Sequence, residues 1–428
     1  MEQKGKQTEF YEPSPDMMTP KERESYLNEK IEWVVQYAYD NAPGVKNKLD
    51  KAGIDPSQIR TFNDLQRIPI TRKDELVELQ KANMPLGGLV AVPINSLKRI
   101  HVSPGPIYEP QERGLDTHHT ADWLYAAGFR KGDLVINTFT YHLVGAGHWA
   151  DEGLEAIGAV VIPTGVGNTE LQVQIMRDLK VTGYFGTPSF LMTIIKKAEE
   201  MGYDFKSRFT LKNALFIAEM LPPSLRKSFE QDYGINTSQA YGTSDVGLIT
   251  GECSQKQGMH ITKEAAVEIA DPITGKQLGP GEVGEVVVTR FNNTYPLIRF
   301  GTGDLSSYTE ELCSCGRTSS RLVGILGRTG DAVKVRGMFI HPKQIGEVIS
   351  KFSKISKCQV IISRTGVRDE MTFMIEMEDE AADKGKVSQQ LQESIKDICR
   401  LKADKIEFVT KGTIPEEFKS VVDKRTWE

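Results

Sequence analysis

Two short glycine turns in this chain each deliver an acidic side chain: Gly301-Thr302-Gly303-Asp304 and Gly327-Arg328-Thr329-Gly330-Asp331. Glycine lets the backbone turn sharply and approach a ligand closely. A carboxylate held at such a turn can accept two hydroxyl hydrogen bonds, the pattern a nucleotide ribose presents. Gly-Asp turns are also common in plain loops, and on these residues alone both readings stand. A separate group suggests metal chemistry. Cys313-Ser314-Cys315 can present two thiols from one tight turn, and Cys253 and His260 flank a short stretch containing Gly258. Three sulfurs and one imidazole make a closed tetrahedral set suited to structural Zn²⁺, with no open position for catalysis. Four reduced side chains without metal are the plain alternative.

The elements that must position these residues can be read from periodicity. An amphipathic helix is expected from about Pro20 to Tyr39, broken by Pro43 and Gly44. Asp133–Asn137 and Ala159–Pro163 read as buried strands with a helix at His148–Ile157 between them, a strand–helix–strand unit and hence a parallel sheet. Strands at Gly183–Gly186 and Ala214–Ile217 continue the series, with helices at Leu191–Met201 and Ser224–Tyr233. Gly284–Thr289 alternates like an antiparallel strand after the turn Gly279-Pro280-Gly281. After Arg328 the composition shifts to a small α/β unit. It has strands at Val333–Val335, Cys358–Ile362 and Met371–Glu376, and helices at Pro342–Phe352 and Val387–Leu401. Cys358 and Cys399 lie in apolar surroundings and read as core.

Length and composition set outer bounds. At 428 residues the chain exceeds one ordinary hydrophobic core, so at least two domains are expected, 1–327 and 328–428. A net charge of -5 gives no reason to expect nucleic acid or an anionic membrane surface as partner. The polar start and the lack of a long apolar run point to a cytoplasmic protein without signal peptide or membrane span. Five cysteines in a chain of this length do not form a disulfide framework. Assembly as a homodimer is left open.

Several motifs, in order, carry a resemblance. Pro296-Leu297-Ile298-Arg299-Phe300-Gly301-Thr302-Gly303-Asp304 resembles the ribose-binding segment of the adenylate-forming enzymes, and more closely that of their phenylacetate–CoA ligase branch. Gly316-Arg317-Thr318, Gly327-Arg328 and Val335-Arg336-Gly337 resemble the hinge region of that branch. Ala38–Leu76 resembles its opening, Gly132–Asn168 and Thr187-Pro188-Ser189 its middle, and Tyr241-Gly242-Thr243-Ser244-Asp245 its magnesium-site motif. The likeness runs from about residue 30 to the C-terminus, and ordered motifs are far more specific than any one of them.

The resemblance implies an α/β fold: a large N-terminal domain of mostly parallel sheets with a small β-rich lobe, and a small mobile C-terminal domain. Its hinge would lie at 327–331, with Gly330 where many relatives carry an acidic residue. It implies ATP, Mg²⁺ and coenzyme A as cofactors and a carboxylic acid as substrate. Asp304 would bind ribose, with Arg328 behind it. Ala218-Glu219-Met220 would border the adenine, Tyr241 would stack on it beside Gly242, and Thr243 would reach the α-phosphate. Asp245 would serve Mg²⁺, one methylene shorter than the family's glutamate. Lys419, with Lys424 as substitute, would stabilise the acyl-phosphate transition state. Tyr141, His142, Gly145, Phe216 and Ala240 lie where relatives line the acid pocket, and their aromatic and small side chains suit an aryl acid. The cysteine–histidine set has a counterpart in some relatives of this branch.

Two stretches depart from the family pattern. Where a Ser/Thr/Gly-rich loop should hold the ATP phosphates, Arg99–Pro110 keeps only Ser103 and Gly105 of that pattern. Pro104, Pro106 and Pro110 remove backbone donors, and Glu109 brings negative charge to where phosphates would sit. The segment Glu416–Ser420 is short and lacks the glycine usual before the lysine. The expected activity is an AMP-forming acid–CoA ligase, phenylacetate-like. The rivals are a same-fold adenylyltransferase or acyl-protein synthetase with another acceptor, and a nucleotide- or acyl-CoA-binding protein that has lost ligase chemistry.

Overall fold

Thr19 starts the first long helix, Pro20–Asn41, with a capping box: its hydroxyl accepts from the Glu22 amide while the Glu22 carboxylate accepts from the Thr19 amide. Ile31, Val34, Val35 and Ala38 form its buried stripe, as the spacing requires. Pro43 then opens a second helix, Pro43–Lys51. The computed structural model describes residues 10–11, 16–272, 274–329, 333–336, 338–340, 342–366, 368–378, 384–399 and 401–425. Gly330 and Asp331 of the expected hinge, and Gly337, lie outside them. The chain divides into two compact units, Met1–Gly327 and Arg328–Glu428. Among the described residues no helix is long and apolar enough to cross a membrane.

The first unit is built on a nine-stranded sheet. Its parallel part runs, in spatial order, Val160–Pro163, Leu134–Asn137, Gly183–Gly186, Asn213–Phe216 and Asn236–Thr243. Gly183–Gly186 is buried throughout, because helices cover both faces of a parallel sheet. Helices Ala146–Ala156, Thr169–Asp178 and Pro188–Glu200 make the crossovers. Beyond Thr243 the sheet turns antiparallel through Gly247–Glu252, Met259–Ile261, Arg321–Leu322 and Tyr308–Thr309. The helix expected over Ser224–Tyr233 divides into an α-helical Pro223–Lys227 and a π-helical Ser228–Asp232. There the Tyr233 amide reaches back five residues to the Ser228 carbonyl.

The stretch expected as a phosphate loop is a β-hairpin, Arg99–Ser103 against Ile107–Gln111, with His101 opposite Glu109. Alternation turns Ile107, Glu109 and Gln111 inward.

In the second unit four strands lie in the order Lys405–Val409, Arg368–Met377, Ile355–Thr365, Val421–Asp423. The central pair is antiparallel and each outer strand is parallel to its neighbour. Helices Pro342–Ser350 and Lys384–Cys399 accompany this sheet. Cys358 and Cys399 sit in its core with Phe373, Ile375 and Leu391.

The stretch 301–304, expected as a glycine turn, instead lies within the strand Phe300–Ser306 of a second sheet in the first unit, where the register against Gly284–Arg290 shifts. Thr71–Arg72, Phe300–Ser306, Gly284–Arg290 and Ala265–Ala270 lie side by side. Arg299, 1 % exposed, precedes the strand Phe300–Ser306 and has a left-handed backbone at φ 49°. A residue of this size pays about 1–2 kcal/mol for that conformation. Its side chain shows why it is kept there. Nε lies 3.1 Å from both Glu268 oxygens, Nη1 donates to the Gln66 and Ile68 carbonyls, and Nη2 donates to the Gly275 carbonyl. Arg299→Met would strand the Glu268 carboxylate, 1 % exposed, in the core. Loss of about 3–5 kcal/mol of unfolding free energy in urea is expected. A loss below about 1 kcal/mol would show the pair to be dispensable.

Candidate active site

The parallel strands present their carboxyl ends to one edge of the sheet, the usual ligand side of an open α/β layer. Thr187 there caps Pro188–Glu200 through the Phe190 amide, and Ala218-Glu219-Met220 follows Asn213–Phe216. Ala218 is left-handed at φ 72°, a strained backbone for alanine. The Glu219 carboxylate accepts from the Ser189 amide at 3.4 Å.

Asn236–Thr243 carries the densest group. A register shift falls between Tyr241 and Gly242, and a Cβ on Gly242 would stand 2.0 Å from the Gly247 carbonyl oxygen. Only glycine lets the two strands cross there. The crossing aims the Tyr241 hydroxyl at Asp304, to whose Oδ2 it donates at 2.9 Å, and it lies 3.1 Å from Thr302 Oγ1. Thr302 is anchored in turn to the Val286 carbonyl, and its oxygen accepts from the Asp304 amide. Tyr241 and Asp304, distant in sequence, thus form one polar unit between the two sheets.

Thr243 donates to Asp245 Oδ2 at 3.2 Å, and Lys73 Nζ stands 2.5 Å from the same oxygen. Asp245 Oδ1 is buried without a hydrogen-bond partner among the described residues. Lys73, at the start of the helix Lys73–Ala82, was not singled out from sequence. A charged residue opening a helix ordinarily reads as solvated surface, so its only signal was its place in the Ala38–Leu76 stretch.

Glu109 corrects an expectation. Expected to bring negative charge where phosphates would sit, its carboxyl is 3 % exposed and faces Asp245 and Lys73. Burial first, then the charge of Asp245, pushes it up to about 8, so at neutral pH it is mostly uncharged. Ser103 is buried and faces Glu109. Gly105 occupies the hairpin turn, tight against Ile107 and Val77.

The proposed acid-pocket residues divide. Tyr141 is half-buried and donates to Asp151 Oδ1 at 2.6 Å while accepting from Asn137. Its ring meets His148 edge-on. His142 is exposed. Gly145 opens the helix Ala146–Ala156, where a side chain would collide with the Trp149 indole. Ala240 is buried in the sheet core. Phe216 is completely buried between Tyr184 and Phe229. Arg328 opens the second unit, and the exposed Lys419 and Lys424 flank its strand Val421–Asp423.

Cys253, His260, Cys313 and Cys315 converge with all four ligand atoms within 4.8 Å of one another. Cys253 and Cys313 sulfurs are 3.7 Å apart, and Cys315 Sγ is 3.4 Å from His260 Nε2. Tetrahedral zinc with Zn–S of ~2.3 Å places ligand sulfurs ~3.7 Å apart, so the spacing fits the ion. His260 Nδ1 is turned toward the Ser319 carbonyl and hydroxyl, leaving Nε2 for the set.

Two family models match the chain. The AMP-binding enzyme family matches residues 153–294, and the AMP-binding enzyme C-terminal domain matches 337–425. Phenylacetate-coenzyme A ligase of Thermus thermophilus is 32% identical over 381 residues, 86% of this chain and 84% of that protein. The enzyme of that name from Aromatoleum evansii is 31% identical over 97% of this chain and 99% of its own length. The chain belongs to the phenylacetate–CoA ligase family of AMP-binding enzymes. Among solved structures, 2-hydroxyisobutyryl-CoA ligase with 2-HIB-AMP and CoA superposes with a TM-score of 0.91. It is 26% identical, over 98% of this chain and 93% of that one.

The strand crossing at Gly242 can be tested directly. Gly242→Ala is expected to lower the unfolding free energy by about 1–3 kcal/mol, measured in urea, because backbone must part to admit the methyl. A value within about 0.5 kcal/mol of wild type would mean that the crossing is not tight.

Proposed function

We propose that this protein is an ATP-dependent, AMP-forming acid–CoA ligase acting on an aryl acid of the phenylacetate kind. The observation that carries the reading is the Tyr241–Asp304–Thr302 unit at the carboxyl ends of the parallel strands, in a chain of this family. A carboxylate oxygen attacks the α-phosphorus, the bond to the β-phosphate breaks, and pyrophosphate leaves with its electron pair. CoA sulfur then attacks the acyl carbon and the bond to AMP breaks, giving thioester and AMP.

Asp304 accepts the ribose hydroxyls, oriented by Tyr241. Ala218-Glu219-Met220 borders the base and Thr243 meets the α-phosphate. For Mg²⁺, Asp245 has one buried oxygen without a protein partner among the described residues, a hard donor suited to that ion. Bound there, Mg²⁺ would neutralise phosphate charge. Lys419, with Lys424 as substitute, supplies the transition-state cation from the small domain, and 327–331 serves as its hinge. Phe139 and Tyr141 favour a flat acyl group.

One observation favours a second reading, a binding protein without turnover. The hairpin 99–111 replaces the expected phosphate loop and turns its acidic residue inward. The deciding assay is pyrophosphate release with ATP, Mg²⁺ and phenylacetate or other aryl acids, with and without CoA. Acid-dependent release, and thioester on adding CoA, is expected. Asp304→Ala should lower kcat/KM about 10²–10³-fold. AMP binding with no release for any acid would sink the ligase reading.

The cysteine–histidine set is read as a structural Zn²⁺ site joining the loops at 253–260 and 313–319. Purified protein should carry ~1 zinc per chain by elemental analysis, and a strong chelator should lower its Tm. Metal-free protein whose Tm no chelator moves would refute it.

A further inference from the structure

The cysteine–histidine centre has a charge imbalance that its own residues leave open. Three thiolates against the two positive charges of Zn²⁺ give one net negative charge, the imidazole being neutral. His260 is 0 % exposed and Cys253 1 %. Uncompensated charge in such surroundings is costly.

One buried cation touches the set. The Arg317 amide donates to Cys315 Sγ at 3.4 Å, and Nη1 of its guanidinium lies 4.0 Å from the same sulfur. Arg317 is 2 % exposed. Arg321, the neighbouring buried arginine, gives Nη1 and Nη2 to the Gln257 and Glu311 carbonyls, so it ties the loops without addressing a thiol through them.

The N-terminal segment holds Arg317 from its other side. The Phe10 ring lies 4.5 Å from the guanidinium, and Asp16 Oδ2 is 3.5 Å from Nε. The next residue is fastened as well. Arg23 Nε donates to Thr318 Oγ1 at 3.1 Å, and that hydroxyl donates to the Met18 carbonyl at 2.5 Å.

We propose that Arg317 is the positioning residue of this metal centre: it offsets the net charge of the three thiolates, and Phe10 and Asp16 hold it there. Phe10, Asp16 and the metal then stabilise one another by linkage, since each favours the same placement of Arg317. This rests on the zinc reading above.

The test uses the full chain loaded with Zn²⁺ and follows metal release to a chromogenic chelator, alongside the thiolate-to-metal absorption of the Co²⁺-substituted protein. Arg317→Met should release zinc about 10–100-fold faster, the range for losing an outer partner of a metal ligand. Arg317→Lys should recover part of the loss, which a mere packing role would not require. Zinc bound normally by wild type and released at an unchanged rate by Arg317→Met would overturn this inference alone. If Arg317→Met does not fold, an unchanged release rate in Arg317→Gln would overturn it. A wild-type chain with neither zinc nor a Co²⁺–thiolate band would remove the zinc reading and this inference with it.

Discussion

Much of the first unit depends on the buried pairing of Arg299 with Glu268. The guanidinium joins Gln66 and Ile68 of the N-terminal region, the Gly275 turn and the Ala265–Ala270 strand. All these contacts converge one residue before the strand that carries Thr302 and Asp304. A buried ion pair is a poor source of net stability, because desolvation offsets most of the attraction. Its value here is geometric. Planar guanidinium donors accept few arrangements of acceptors, so the pair sets where the strand Phe300–Ser306 begins. The left-handed backbone of Arg299 is tolerated on the same account.

A similar logic governs the cluster at the end of the parallel sheet. Lys73 neutralises Asp245, and Glu109 adds a second carboxyl to the same buried space. Two carboxylates and one lysine would leave a net negative charge there, and protonation of Glu109 relieves it. The hairpin can therefore carry a glutamate without placing a permanent charge beside an anionic ligand. Its prolines matter less than they do in an open loop, because the ladder of Arg99–Ser103 with Ile107–Gln111 supplies order directly.

The Cys253–His260–Cys313–Cys315 set lies at the antiparallel end of the nine-stranded sheet, whereas Arg299 serves the separate sheet of Phe300–Ser306. The Met259–Ile261 strand, which carries His260, pairs with Arg321–Leu322 beyond the Cys-x-Cys turn. Sheet pairing brings the two loops to within reach, and the ligand atoms close the gap.

Motif chemistry and periodicity were legible in the chain alone. The 3.6-residue spacing of Ile31, Val34, Val35 and Ala38 and the apolar runs at 134–137 and 183–186 are local signals, since each depends on neighbours in sequence, whereas the turn expected at 301–304 is taken up into a strand by pairing with Gly284–Arg290. Cys253, His260, Cys313 and Cys315 could be grouped for the same reason, and the structure brings them together: sulfur and imidazole chemistry is intrinsic to the side chain. Contacts across the fold were not legible. Nothing in the sequence joins Tyr241 to Asp304 or Lys73 to Asp245, pairs separated by 63 and 172 positions. Burial was equally hidden. Phe216 lies wholly buried between Tyr184 and Phe229, and Glu109, expected to bring negative charge to the phosphates, is an interior acid whose charged form burial disfavours. Residue identity sets which bonds a side chain can make. Only the tertiary structure decides its neighbours and its access to water, and those two determine its charge and its role.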